Sequence, residues 1–177
     1  MIPAAMSEPA APAGRWSAYR AFWWLAGATL LLDQLSKAWI VSHLPFNTYG
    51  EGSIPVMPGL LYIVHLGNTG AAWSLLSGFS VGLALLAVAT LGAIFHWREA
   101  LGLRDVPTQI AFGLLCGGIV GNLADRLTRH HVVDFLDFHF GTYVFPSFNV
   151  ADSGITVGVG IYLLRSVFAP PKPVIPR

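Results

Sequence analysis

The sequence predicts an all-α membrane protein, a four-transmembrane-helix bundle carrying a small extracytoplasmic β-sheet element. Three observations predict it. Of 177 residues, 54% are hydrophobic and only 11% are charged, where a soluble domain carries about 25% charged residues. The apolar residues come in long blocks separated by short polar stretches, and Lys and Arg are distributed unevenly among those stretches. The net charge of +1 and the absence of a basic run leave no electrostatic footprint for nucleic acid. The single cysteine, Cys116, lies inside an apolar block, which excludes an intrachain disulfide and fits a buried inert thiol.

Residues 1–20 read as a flexible N-terminal tail. Their first part is rich in Ala and Pro and lacks the basic start of a cleaved leader. Crossing a hydrocarbon core of about 30 Å takes about 20 mostly apolar residues at 1.5 Å per residue. Four stretches satisfy this, at about 21–41, 78–97, 108–127 and 150–168, which sets a four-span membrane domain over 21–168 followed by a Pro-rich tail, 169–177. The second and fourth are clean apolar runs. The first contains Asp33, Gln34, Ser36 and Lys37, and the third ends in Asn122, Asp125 and Arg126. Such groups are costly against lipid and are expected to face the bundle interior.

Orientation follows from Lys and Arg in the short flanks. Arg15 and Arg20 precede the first span, Arg98 and Arg104 lie between the second and third, and Arg165, Lys172 and Arg177 end the chain, whereas 42–77 has neither residue type. Both termini are therefore expected in the cytoplasm, with 42–77 and 128–149 outside, although Arg129 falls in the latter. Within the first outer connection, the run LLYIVHL is rich in β-branched and aromatic residues and bounded by Pro and Gly, which predicts one or two short strands.

Taken singly, each polar group has a plain structural explanation. Asp33 and Lys37 are four residues apart on one helix face, so an intrahelical ion pair and a functional role stand about level. Asn68-Thr69-Gly70 reads as a turn. Gly117, Gly118 and Gly121 fit close helix packing. Asn122, Asp125 and Arg126 could satisfy one another at the membrane edge. His130, His131, Asp134, Asp137 and His139 lack the helical spacing of a zinc site, and no thiolate supports one, so no metal and no cofactor is expected. Asp134 sits in the apolar run Val132-Val133-Asp134-Phe135-Leu136, where a carboxylate is costly unless paired. Asp152 fits a helix-start acid after Asn149 as N-cap.

Together, five stretches resemble the lipoprotein signal peptidases, the signal peptidase II family, over roughly residues 21–165. They are Asp33-Gln34-Leu35-Ser36-Lys37, Asn68-Thr69-Gly70-Ala71-Ala72-Trp73-Ser74, Gly121-Asn122-Leu123-Ala124-Asp125-Arg126, Val132-Val133-Asp134-Phe135, and Phe145-Pro146-Ser147-Phe148-Asn149-Val150-Ala151-Asp152-Ser153. Trp73 stands where the family pattern has Phe. The resemblance implies an aspartyl endopeptidase of the bacterial inner membrane. Its substrates would be prolipoproteins, cut just before a cysteine carrying diacylglyceryl. It further implies that Asp134 and Asp152 are the catalytic acids, and that Asp33, Lys37, Asn68, Gly70, Asn122, Asp125, Arg126 and Asn149 shape or support the site. Two acids about 3 Å apart share one proton near neutral pH, one acting as base toward water and the other as acid toward the carbonyl. Such a site would lie near the outer face, with membrane lipid around it, in a monomer. A small transporter or channel would also place ionisable residues in spans, but would spread them through the bilayer.

Overall fold

A computed structural model describes residues 17–70 and 75–168. Residues 1–16 of the predicted N-terminal tail, the whole predicted C-terminal tail 169–177, and Trp73 lie outside the described residues. After a 3-10 turn, Ser17–Tyr19, come α1 (Arg20–His43), β1 (Ile54–Met57), β2 (Leu61–Asn68), α2 (Ser80–His96), α3 (Val106–Arg129), β3 (Val132–Phe140), β4 (Tyr143–Val144) and α4 (Val150–Phe168).

The four helices fall on the four predicted apolar stretches. By length and composition, α3 and α4 can cross a membrane. The second helix is apolar but 17 residues long, and α1 has 24 residues but includes Arg20, Asp33 and Lys37. The centre of the bundle is α3, which packs against α1, α2 and α4. It begins at Asp105, whose carboxylate accepts the Thr108 N–H at 3.2 Å as an N-cap, with Pro107 in the first turn where its missing N–H costs nothing. Small residues let α3 come close to its neighbours. A Cβ on Gly117 would stand 2.6 Å from the Ala26 carbonyl of α1, and one on Gly121 would collide with the Asp33 carboxylate. Tight packing thus accounts for the glycines of α3, and Gly121 adds a polar reason, because it makes room for a buried acid.

The sheet is larger than the sequence suggested. It has four antiparallel strands in the order β1-β2-β3-β4. The run LLYIVHL forms β2, which continues to Asn68, and β1 lies just before it at Ile54–Met57, whereas β3 and β4 occupy the connection 128–149, where the sequence predicts no strand. The reason is that β3 is buried on both faces. Val132, Val133, Asp134 and Phe135 are all buried, so the run shows no alternation, and periodicity cannot distinguish such a strand from a buried coil. One side of β3 joins α1 and α4, where Val133 and Phe135 pack with Ile40 and Val150. The strand follows α3 almost directly. His130 caps that helix in a left-handed conformation (φ 64°), and the chain reverses into Val132. This short reversal sets Asp134 beside the end of the helix carrying Asn122 and Asp125.

Candidate active site at the junction of helices and sheet

The end of α3, the start of α4, the second half of α1 and the adjoining strands β2 and β3 bring nearly all the predicted polar residues together. At the bottom of the site is Lys37, fully buried. An ammonium has three protons to donate, and three acceptors meet it: Asp33 Oδ2 at 2.9 Å, Asp125 Oδ2 at 2.8 Å and Asn122 Oδ1 at 2.9 Å. The Asp33–Lys37 pair is therefore not a surface i,i+4 pair but part of a buried network. Asp33 uses its other oxygen to accept the Ala151 N–H at 2.9 Å, one of the free amides in the first turn of α4. Asp125 also pairs with Arg129 at 2.6 Å and accepts the Val133 N–H at 3.2 Å. Two carboxylates and two cations thus balance, and α1, α3, β3 and α4 are tied to one another.

Asn122 passes this order upward. A lysine can only donate, so Lys37 fixes the Asn122 amide with its oxygen inward and its nitrogen outward. That nitrogen donates to Asp152 Oδ1 at 2.7 Å. Asn149 performs the corresponding task for both acids. Its side-chain oxygen accepts the Asp152 N–H at 2.9 Å, and its own N–H donates to Asp152 Oδ2 at 3.2 Å, a reciprocal capping box that starts α4. Its Nδ2 donates to Asp134 Oδ1 at 2.7 Å. From the opposite side, Asn68 at the end of β2 donates to Asp134 Oδ2 at 3.0 Å. Asp134 and Asp152 are therefore held by one residue, each of their four oxygens taking one donor and keeping a lone pair for a ligand.

Burial and the nearby Asp152 carboxylate push Asp134 up to about 7, against the opposing pull of the Asn68 and Asn149 hydrogen bonds and of Lys37. A carboxyl poised there can carry a proton near neutral pH.

The expectation that Asn122, Asp125 and Arg126 satisfy one another does not hold. Asp125 turns to Lys37 and Arg129, Asn122 to Lys37 and Asp152, and Arg126 touches Asn122 only through its backbone carbonyl, at 3.2 Å. The Arg126 guanidinium reaches instead to the Gly70 carbonyl at 2.9 Å, and its buried Nε has no hydrogen-bond partner among the described residues. Gly70 in turn donates its N–H to Asn68 Oδ1 at 2.9 Å, which fixes the amide that faces Asp134.

Two members of the network were missed from sequence. Gln34 donates to Asp33 at 3.0 Å, to the Gly121 carbonyl at 3.2 Å and to Asp125 at 3.4 Å. Arg129 was counted only as a charge in an outer connection, although its i,i+4 spacing from Asp125 was a readable signal. The His-rich stretch is engaged elsewhere. Asp137 bonds His139 at 2.6 Å and Ser147 at 3.0 Å, while His131 lies against Phe46. Among the described residues no group of three or more His, Cys, Asp or Glu is arranged to hold a metal ion.

The helix bundle with its small sheet is a fold shared with proteins described as a bacterial membrane enzyme. Two solved structures described in those words match it, one at 2.3 Å resolution with a TM-score of 0.76 and 29% identity over 89% of this chain and 95% of the other. The second, at 1.9 Å resolution, has a TM-score of 0.75 and 30% identity over 85% and 95%. The family model for signal peptidase (SPase) II matches residues 25–168, and the chain belongs to that family. Similar relatives are the lipoprotein signal peptidases of Geobacillus kaustophilus, 39% identical over 84% of this chain and 94% of that one, and of Thermosynechococcus vestitus, 41% identical over 84% and 92%.

Proposed function

We propose that this protein is an aspartyl endopeptidase that removes the signal peptide from bacterial prolipoproteins, cutting just before the diacylglyceryl-modified cysteine with water as nucleophile. The observation that carries the reading is the pair Asp134 and Asp152, both bonded to Asn149, with Asp134 raised to about 7.

In this mechanism ionised Asp152 takes a proton from water as the water oxygen bonds to the scissile carbonyl carbon. Protonated Asp134 gives its proton to the carbonyl oxygen, forming a neutral gem-diol. The C–N bond then breaks as Asp152 returns its proton to the leaving nitrogen and Asp134 recovers one from a diol hydroxyl, which restores the starting state. The two acids titrate as a unit. Arg126 stays charged throughout, and its hold on the Gly70 carbonyl suits a role in shaping the substrate's path. Lys37 acts through Asn122 as a positioning residue, and Asp33 and Asp125 hold its ammonium in place.

The proposed topology has four spans, both termini cytoplasmic and the site at the outer face, where water reaches it while a signal helix stays in lipid. The protein is proposed to act as a monomer. A transporter is less well supported, because the buried ionisable groups gather at one end of the bundle and form no path. The deciding experiment is cleavage of a diacylglyceryl-modified precursor by purified protein in detergent with a chelator present. Asp134→Asn and Asp152→Asn should each abolish it while leaving the protein folded. Near-normal turnover by either folded variant, or chelator-abolished activity that metal restores, would overturn the aspartyl pair.

A further inference from the structure

Far from the site, at the other end of the bundle, α1 and α2 each pack on α3 and make little contact with each other. Between them lies a cavity of about 760 Å³, floored by Cys116 and Gly117 of α3 and walled by Trp23, Gly27, Leu30 and Phe95. Its walls are almost wholly apolar except at one end, where Arg98 and Tyr19 stand. Arg98 forms no ion pair among the described residues. It donates to the Phe95 carbonyl at 2.8 Å and lies 4.8 Å from the centre of the Phe95 ring. Glu99, the neighbouring acid, is taken by Arg104 at 2.9 Å and by the Tyr19 hydroxyl at 3.0 Å. The groove is thus open on its lipid-facing side, where Trp23 and Phe95 are exposed, and ends at a guanidinium with unused donors.

We propose that this groove binds a membrane phospholipid with an anionic headgroup, one acyl chain lying between α1 and α2 and the phosphate on Arg98. The chemistry commits to that occupant in two ways. An apolar trough capped by one unpaired cation complements a hydrocarbon chain ending in an anion. A second spanning helix, about 10 Å across and about 30 Å long, has several times the volume of the cavity and would have no use for the cation. Exposed aromatic rings cluster at the same level, with Trp23 and Trp24 on α1 and Trp97 after α2, as at the interface of a bilayer. The site is separate from the carboxylates, so its occupancy does not depend on how the peptidase reading fares.

Gly27 supplies the test, because a Cβ built on it meets nothing within 4 Å. Gly27 also lines the groove, so Gly27→Phe puts a ring into space that an acyl chain would take. Delipidated full-length protein is incubated in detergent with an equimolar mixture of phosphatidylglycerol and phosphatidylcholine of identical acyl chains, and bound lipid is counted by native mass spectrometry. The unmutated protein should retain phosphatidylglycerol over phosphatidylcholine by about five-fold, the factor that one arginine near a lipid surface is worth. Arg98→Gln should bring that ratio to about one, and Gly27→Phe, checked as folded by circular dichroism and gel filtration, should lose the retained lipid. Arg98→Gln decides the matter alone if Gly27→Phe does not fold. No preference in the unmutated protein, an unchanged ratio in Arg98→Gln, or full retention by folded Gly27→Phe would overturn the proposal. Displacement of the lipid by added lipidated precursor would overturn it too, since the groove would then belong to the substrate.

Discussion

Replacing Lys37 by Met tests the network on which the two carboxylates rest. Met keeps the length of the side chain and removes the one cation among the described residues that touches both Asp33 and Asp125. All three residues are 0% exposed, so water cannot take over the lost partner. Breaking a buried ion pair by removing one member costs about 3–5 kcal/mol. For a chain of this length each kcal/mol moves the thermal midpoint by roughly 2–4 °C, which predicts a fall of roughly 6–20 °C in detergent. A second change isolates the cause. Asp33→Asn removes one surplus charge but retains an oxygen able to accept the Ala151 N–H, so Lys37→Met with Asp33→Asn should recover about 1–3 kcal/mol relative to Lys37→Met alone, a coupling typical of residues in one network. The assay is the midpoint by intrinsic fluorescence, with residual cleavage measured well below it. Below the midpoint Lys37→Met should still lose activity, because Asn122 is no longer forced to turn its nitrogen toward Asp152, whereas Asp33→Asn should lose it only in proportion to folded protein. A Lys37→Met midpoint within 1–2 °C of the parent, or a double variant no better than the single, would refute the network argument.

Cleavage rate should be bell-shaped in pH, its alkaline limb near 7 where Asp134 loses its proton. Stability should follow the same group. The carboxyl's pKa is raised by folding from 3.8 to about 7, so the neutral acid's contribution is fully present below about pH 4 and is lost as pH rises through 7, an order of about 4 kcal/mol at 1.36 kcal/mol per unit. A thermal midpoint that rises from pH 4 to pH 8 by way of this residue, cancelled in Asp134→Asn, would reverse the assigned direction. Asn149→Ser keeps a capping oxygen but no donor to Asp134, and should abolish cleavage at a stability cost below that of Asn149→Ala, about 1 kcal/mol for the lost cap; equal midpoints for the two would remove the capping role. An unlipidated precursor with an unchanged signal sequence should be cut far more slowly than its diacylglyceryl form, and equal rates would remove the lipid from recognition while leaving the acid pair intact.

The helices were legible because α2, α3 and α4 are apolar runs bounded by polar or turn residues, and because Asp33 and Lys37 stand at helical spacing. The acids were legible as oddities, a carboxylate within Val132-Val133-Asp134-Phe135 and another three residues past Asn149. What joins them was not. Lys37 and Asn122 are 85 residues apart, and Asn149 reaches Asp134 across 15; spacing along one helix carries no information about such partners. Nor does a local reading reveal β3, whose burial on both faces erases the alternation that identified LLYIVHL. The charge balance was missed for a related reason. Arg129 was assigned to a solvent loop, although α3 continues to that residue and keeps it on the Asp125 face.

Helix start and candidate site share the same hydrogen bonds, and this limits how either can vary. Asn149 caps α4 and, in doing so, fixes the carboxylate at the third helical position, while its side-chain NH2 donates to Asp134 at 2.7 Å and to the Val133 carbonyl at 3.3 Å. The Asp33 carboxylate accepts the next free N–H of that turn, so the first turn of α4 is anchored by α1 on one side and by its own cap on the other. Backbone amides that would otherwise need water are satisfied inside the bundle, which allows a helix to begin at buried depth. The acids consequently sit on a frame in which Lys37, Asn122 and Asp152 are linked by successive hydrogen bonds, and the Asp134 side is closed by Asn68, itself held by the Gly70 N–H. Preorganised donors of this kind hold both oxygens of each acid in place before a substrate arrives, so that little reorganisation remains for the moment of reaction.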